Sequence, residues 1–201
     1  MQKLILVPLL LFFSTVLLGQ SPSEGKLKLS VQTDLLAYTT LGGWSAWGSA
    51  QYQRAKLSLA FINYPNRFRS IYDETGIKET DRFARLQLSL NNKPESKLKN
   101  FFYGLNAEYH WRELEEDNNP DEILQDTHFQ IGAFLGYEWA PWRERASALQ
   151  NLSFIFWGGL NWIPDNTALD RVFENTGNVY PISSIVRTTI GINVSYTFFK
   201  K

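Results

Sequence analysis

Residues 101–111 read FFYGLNAEYHW, and apolar and polar side chains alternate along most of this stretch. One side consists of Phe101, Tyr103, Leu105, Ala107, Tyr109 and Trp111, and the other of Phe102, Gly104, Asn106, Glu108 and His110. Because successive side chains of a β-strand point to opposite faces, this period of two predicts a strand with one apolar and one largely polar face. Its length suits a tilted strand that crosses a bilayer, which needs about 9–11 residues.

Seven further segments alternate in the same way and are separated by turn-rich breaks. They lie at residues 26–38, 44–53, 57–61, 82–90, 129–139, 152–162 and 186–198. The segment at 152–162 is blurred, since Ile155 and Trp157 stand on its nominally polar side. An even number of strands suits a closed single-chain barrel. The sequence therefore predicts an all-β fold, an eight-stranded antiparallel up-and-down transmembrane β-barrel.

The first nineteen residues differ from the rest of the chain. Lys3 precedes an almost unbroken apolar run at residues 4–18, and small or polar residues follow it. This pattern predicts a cleaved signal peptide at 1–19 and a barrel domain at 20–201. The alternative is a membrane anchor, but the run is shorter than the roughly 20 residues that a spanning helix needs, and Pro8 interrupts it.

Alternation alone does not decide which face of the barrel is outside, since a soluble lipocalin-like barrel has its apolar face inward. Three features favour the membrane arrangement. The polar faces are rich in small residues with few charges, and aromatic residues cluster near both strand ends, as two membrane interfaces require. The third feature is a difference in connection length between the two ends. The connections at one end lie near Arg54, at 91–99 and at 140–151, and they are the shorter ones. Those at the other end lie at 39–43, 64–81, 112–127 and 163–183, and three of these four are long.

The last strand carries the most specific motif. Ile190 and Ile192 precede an aromatic pair at Tyr196 and Phe198. The chain resembles the small eight-stranded outer-membrane barrels of Gram-negative bacteria, whose last strand is read by the barrel-assembly machinery. This resemblance implies an outer-membrane location and contact with that machinery during biogenesis. The chain departs from the common form because it ends in Phe199-Lys200-Lys201, and the resemblance carries over no active-site residue.

Six charged residues occupy polar-face positions that a barrel would turn inward. They are Lys28, Asp34, Arg85, Glu108, Glu138 and Arg187. Eight strands leave an interior that side chains nearly fill, and buried charges need partners. These residues therefore predict a polar network in the lumen, with a narrow channel as the alternative.

His110 and His128 are the only histidines, and both fall at inward positions beside the same predicted connection. We expect the hairpin between them to bring the two histidines close together near the outer mouth, with Glu108 one inward step deeper. Two imidazoles and a carboxylate suit a divalent metal, a pH switch or a hydrolase. The plainer interpretation is two polar residues at a solvated rim, so whether a metal binds is left open.

The connection at 112–127 is the most acidic segment. Its acidic residues are Glu113, Glu115, Glu116, Asp117, Asp121, Glu122 and Asp126, and its only basic residue is Arg112. Such a run is typical of a solvated outer loop, with calcium binding and recognition of a basic partner as alternatives. The spacing lacks the regularity of an EF-hand loop. The shorter connections are instead basic.

The sequence says less about function than about location. Lys and Arg number 20, as do Asp and Glu, so no nucleic-acid partner is indicated, and no cysteine is available for a thiolate metal site. We see no catalytic constellation and expect no cofactor. The leading hypothesis is a non-catalytic barrel that acts in envelope structure or in surface contact through its outer loops. Its expected partners are outer-membrane lipid and an envelope protein.

Four alternatives to this hypothesis stay open. The chain could be a subunit of a larger envelope assembly, a narrow channel, or a lipid-acting enzyme that uses His110, His128 and Glu108. The fourth is a soluble barrel with an apolar ligand inside.

Overall fold

A computed structural model describes residues 27–39, 42–65, 77–116, 119–144, 148–164, 171–172, 174–177, 179–180 and 186–200. The predicted signal peptide at 1–19 lies outside these ranges, and so does Asp117 of the acidic segment. Within the described ranges, no helix is both long and apolar enough to span a bilayer.

Ten strands and two short helices make up the described chain. In chain order they are β1 (Leu27–Asp34), α1 (Leu35–Thr39), β2 (Trp44–Tyr52), β3 (Ala55–Tyr64), β4 (Ile77–Asn91), β5 (Phe101–Glu116), β6 (Asn119–Trp139), a 3-10 helix (Ala148–Asn151), β7 (Leu152–Trp162), β8 (Arg171–Val172), β9 (Val179–Tyr180) and β10 (Val186–Lys200).

Eight of these strands close into a barrel in which each pairs antiparallel with its neighbours. The order is β1-β2-β3-β4-β5-β6-β7-β10, and β10 returns to pair with β1. The remaining strands, β8 and β9, form a separate two-stranded sheet. The predicted eight-stranded up-and-down barrel is therefore confirmed. We call the end where β2 meets β3 the turn end, and the opposite end, where β5 meets β6, the hairpin end.

The apolar faces of the strands point away from the barrel axis. Ile190 on β10 is 73% exposed and Leu135 on β6 is 65% exposed, although both are large aliphatic residues. Exposed aromatic residues lie toward both ends of the strands, among them Trp44 and Trp111 at one end and Trp139 and Phe198 at the other. Such a surface is stable in lipid rather than in water, so the inverted arrangement of the faces is confirmed.

The interior is not uniformly polar. Ile155 and Trp157, which blurred the seventh predicted strand, point inward on β7 and are buried there. Trp47, Ile62 and Phe83 on neighbouring strands belong to the same buried cluster. Gly191 lies opposite Trp157 in the β10–β7 register, and a Cβ at this position would enter the indole ring. Glycine on the facing strand thus makes room for a large ring in a narrow lumen.

The structure corrects the predicted boundary of the acidic segment. Residues 112–127 were predicted as a loop, but β5 continues to Glu116 and β6 begins at Asn119. We call residues 112–127 the outer hairpin. Its outward face is polar as well, because Glu113 pairs with Arg82 and Glu115 pairs with Lys78 on the adjoining β4. Because neither face of the hairpin strands is consistently apolar, the sequence shows no alternation there and indicated a loop.

Replacing Leu135 by arginine tests the outward orientation. Leu135 lies midway along the part of β6 that pairs with β7, so the new charge would sit near the middle of the bilayer. We expect Leu135→Arg to lower the free energy of unfolding in lipid vesicles by about 2–4 kcal/mol. Leu98→Arg is the matched control, since Leu98 is 55% exposed but lies in the β4–β5 connection. Its effect should stay within about 0.5 kcal/mol, and equal effects would contradict a lipid-facing β6.

Candidate functional site

The polar part of the lumen is built as three rungs across β4, β5 and β6. The pairing register aligns Arg85 with Glu108 and Glu108 with Gln130 in the first rung. The second rung consists of Phe83, His110 and His128, and the third of Asp81, Arg112 and Asp126. Because directly opposite residues of antiparallel strands lie about 5 Å apart and share a face, the register alone brings these nine inward side chains together.

Glu108 is the centre of the first rung. Its carboxylate accepts hydrogen bonds from Asn106 Nδ2 at 2.6 Å and from Asn161 Nδ2 at 2.7 Å. It also receives Arg85 Nη2 at 2.9 Å and His110 Nε2 at 2.9 Å. The donors come from β4, β5 and β7, so one buried carboxylate connects three strands. Burial of such a charge is tolerated because hydrogen bonds and an opposite charge replace its hydration.

Arg85 closes the lumen beside Glu108. Its guanidinium carbon lies 4.6 Å from the ring centre of Trp157, 5.3 Å from that of Phe83 and 5.6 Å from that of Trp47. Three aromatic faces within about 6 Å of a guanidinium form a cation–π cage. The Arg85 side chain is therefore held by three rings and a carboxylate, which together occupy the lumen at this level.

His110 and His128 form a stacked pair between the first and third rungs. Their ring centres are 4.6 Å apart and their planes differ by 11°. His110 Nδ1 lies 2.9 Å from Asp81 Oδ1, and His110 Nε2 lies 2.9 Å from Glu108 Oε2. Since carboxylates only accept hydrogen bonds, this geometry suits an imidazolium that donates from both nitrogens. Gln130 Nε2 donates to His128 Nε2 at 2.8 Å, which suits a neutral ring at that position.

The third rung lies where the outer hairpin leaves the barrel wall. Arg112 forms a buried ion pair with Asp126, and Glu79 Oε1 lies 3.8 Å from Arg112 Nη1. Leu114, one inward step farther out on β5, is fully buried. The rung is therefore covered from the hairpin end and does not form a solvated mouth.

The structure corrects the predicted location of the two histidines. They were expected at the outer mouth, with a solvated rim as the plainer interpretation, but His110 is 1% exposed. The expected proximity of His110, His128 and Glu108 is found, whereas the expected exposure is not. The reason is that β4, β5 and β6 extend past the predicted strand ends and enclose the pair. Within the described part of the chain, no group of three His, Asp or Glu residues could hold a metal ion.

The six predicted lumen charges do not gather in one cluster. Arg85 and Glu108 form the buried ion pair, with Nη2 and Oε1 2.9 Å apart. Asp34 is buried at the end of β1, where its Oδ1 accepts the backbone N–H of Leu36 in α1 at 2.9 Å. Lys28 and Glu138 line a cavity at the turn end, and Arg187 is half-buried near the start of β10. The six charges are therefore spread over several levels of the barrel.

The acidic residues of the outer hairpin are largely engaged in contacts. Glu122 accepts the backbone N–H groups of Glu174 and Asn175 at 2.7 and 3.1 Å. Thr176 Oγ1 donates to the buried Glu116 at 2.8 Å. The segment after β7 thus packs against the hairpin through its carboxylates. Asp121, by contrast, has an exposed side chain.

Two solved structures resemble this barrel in shape. Neisserial surface protein A is 13% identical over 89% of this chain and 100% of that chain, with a TM-score of 0.45. A major outer membrane protein from Thermus thermophilus is 10% identical over 88% of this chain and 100% of that chain, with a TM-score of 0.47. No family model and no curated protein matches the sequence. Barrels of one shape serve unrelated functions, so this likeness assigns no activity.

Sequence reasoning missed several residues of the rungs. Asp81, Arg112 and Asp126 were assigned to connections, and Trp47, Phe83 and Trp157 were not recognised as lumen residues that surround Arg85. The register supplies the missing signal, since counting by two from Glu108 through His110 reaches Arg112 on the same face. Tyr196 and Phe198, the predicted assembly signal, are exposed on the outward face of β10 near the turn end. Their role in assembly stays a prediction.

Replacing Glu108 by glutamine tests the central ion pair. The change keeps the shape of the side chain and leaves the buried Arg85 without its counter-charge. We expect a loss of roughly 3–5 kcal/mol in the free energy of unfolding, measured by urea titration in lipid vesicles. The double variant Glu108→Gln/Arg85→Met should lose less than the sum of the two single changes, because the two residues are coupled.

Glu113→Gln is the matched control for this measurement. Glu113 also lies on β5 and contacts an arginine, with Arg82 Nη1 and Nη2 at 3.0 and 3.1 Å, but this pair is exposed. Its loss should cost no more than about 1 kcal/mol. Equal costs for the two glutamates, or additive single and double variants, would show that Glu108 does not organise the lumen.

Proposed function

We propose that this chain is an integral barrel of the bacterial outer membrane that acts without catalysis, in envelope structure or in surface contact through its outer hairpin. The observation that carries the proposal is the combination of a lipid-compatible outer surface with a lumen closed by buried ion pairs. The lumen therefore contributes stability, and the part that extends from the wall is free to make contacts.

The outward surface supports the membrane location. Large apolar side chains cover the outside of the barrel, while Ser, Asn and Gln fill much of the inside. All backbone hydrogen bonds of a closed barrel are satisfied within the sheet, as the interior of a bilayer requires. Because β10 pairs with β1, each of the eight strands in the barrel wall has a hydrogen-bonded neighbour on both sides.

The closed lumen argues against a channel and a lipid-acting enzyme. A permeating ion would have to separate Arg85 from Glu108 and from three aromatic rings. His110, the residue on which an enzyme hypothesis would rest, has both ring nitrogens occupied by carboxylates and almost no exposure. A lipid substrate could not reach it without rearrangement of the surrounding rungs.

The outer hairpin favours surface contact as the finer role. Between Asn119 and Gln130, β6 extends past the segment that pairs with β7. Ion pairs with β4 and hydrogen bonds from residues 174–176 hold the hairpin in place. A preorganised extension loses less conformational entropy on binding than a flexible loop does, which suits recognition of another surface.

An epitope tag tests the direction in which the barrel is inserted. We expect a tag placed at residues 117–118 to be stained by antibody on intact cells, because the outer hairpin would face the outside. A tag in the β4–β5 connection at residues 95–98 should stain only after the outer membrane is permeabilised. The reverse pattern would place the hairpin in the periplasm and overturn the surface role.

Shortening the outer hairpin separates the two proposed roles. Glu113 and Gln125 lie opposite each other in the β5–β6 register, so residues 114–124 can be replaced by an Asn-Gly turn. The shortened barrel should still migrate differently on gels before and after boiling, which shows that it is folded. We expect cells that carry the shortened barrel to resist detergent as well as cells with the full-length barrel do. They should adhere less than those cells to the surface that the hairpin contacts. Retained adhesion would leave envelope structure as the role.

A further inference from the structure

The turn end of the barrel holds an open cavity that the proposed function does not use. Its volume is about 390 Å³, and it is lined by inward side chains of the strands and by the connections at that end. Small-molecule sites typically occupy roughly 300–1,000 Å³. We call this cavity the basic cup. It lies on the opposite side of the aromatic cage from the histidine pair.

The basic cup narrows to a floor that is lined by both polar and apolar side chains. A narrow space of about 20 Å³, enough for about one water molecule, continues from it and reaches Phe102, Ile155 and Trp157. Trp157 is also the ring nearest to the Arg85 guanidinium, with 4.6 Å between the carbon and the ring centre. A solute that enters from the turn end therefore meets a closed floor, so the cup has the form of a binding site rather than that of a pore entrance.

The lining of the cup is strongly basic. Its charged members among the described residues are Lys28, Arg54, Lys56, Lys99, Arg143 and Glu138. Glu138, the single carboxylate in that set, already forms an ion pair with Arg143, whose Nη2 lies 3.0 Å away. The neutral members are mostly serine, asparagine and glutamine. Basic residues around a concave space focus a positive potential, which attracts anions into it.

Two of the lysines lie at one level of the wall. Lys28 on β1 is in register with Gln51 on β2, and Gln51 is in register with Lys56 on β3. Since neighbouring strands are about 4.8 Å apart, the two lysine backbones are roughly 10 Å apart with an amide between them. Both side chains line the cup. An anion with several oxygens can contact both ammonium groups and relieve their mutual repulsion.

We propose that the basic cup binds a phosphate monoester, with the phosphate held between Lys28 and Lys56. A phosphate monoester carries about −1.5 to −2 charge at neutral pH and three strong acceptor oxygens, which matches two lysines better than one carboxylate does. Gln51 Nε2 already donates to Gln53 O at 2.8 Å, so its carbonyl oxygen and the Ser153 hydroxyl are the groups that can bond the esterified part of the ligand. The phosphate can belong to a soluble sugar phosphate or to a lipid headgroup, since both present the same anion.

Calorimetric titration of the full mature chain tests this site. The protein is folded in a maltoside detergent, because phosphocholine detergents carry a competing phosphate. We expect saturable binding of glucose 6-phosphate or of short-chain phosphatidic acid, and no binding of glucose. The probe that binds identifies the source of the phosphate. Affinity should fall with added salt, as an interaction between charged groups requires.

Lys28→Gln/Lys56→Gln should weaken this binding at least tenfold. Lys93→Gln/Lys97→Gln is the matched control, because it removes the same charge from exposed positions in the β4–β5 connection that do not line the cup. The control should change affinity less than twofold, and the gel shift on boiling confirms that each variant is folded. Absence of saturable binding of both phosphate probes, or equal weakening by the two double variants, would overturn the proposal.

Discussion

The buried carboxylate of Glu108 is the interaction on which the interior of this barrel depends. It gathers donors from three strands, and each of its oxygens lies within 2.9 Å of a donor. A shift of β4 by one residue would turn the inward side chains of that strand outward and remove Arg85, the arginine that pairs with this carboxylate. The same shift of β7 would remove Asn161. The cost of an uncompensated charge in a closed lumen is several kcal/mol, so Glu108 fixes the register of the strands around it.

The orientation of the two faces creates the need for such a centre. Because apolar residues cover the outside, charged residues on the strands have to be accommodated within an interior that eight strands leave narrow. Arg85 meets this requirement through Glu108 on one side and through the rings of Trp47, Phe83 and Trp157 on the others. Aromatic faces accept a guanidinium and exclude water at the same time, so they close the lumen without further carboxylates.

The sequence predicted the barrel because apolar and polar side chains alternate at residues 101–111 and in the other segments. This alternation assigns them to opposite faces of each strand. It also predicted that His110 and His128 would be close, since inward positions on a hairpin face each other. It could not predict their burial, because the strands around them continue into a region where Glu113 and Glu115 face outward and pair with basic residues on β4. Alternation also did not identify Trp157 as a lumen residue, because an aromatic side chain on a mostly polar face interrupts the pattern.

The two ends of the lumen differ because their inward residues differ, although the wall is continuous. Toward the hairpin end, Asp126 contacts both Arg112 and His128. Toward the turn end, cations outnumber the single Glu138 of the cup, and cations of like sign cannot fill a lumen by pairing with each other. The cavity at this end is therefore expected to have a positive potential, which attracts anions. The cage around Arg85 separates these two environments, so binding at the turn end does not require the rungs to open.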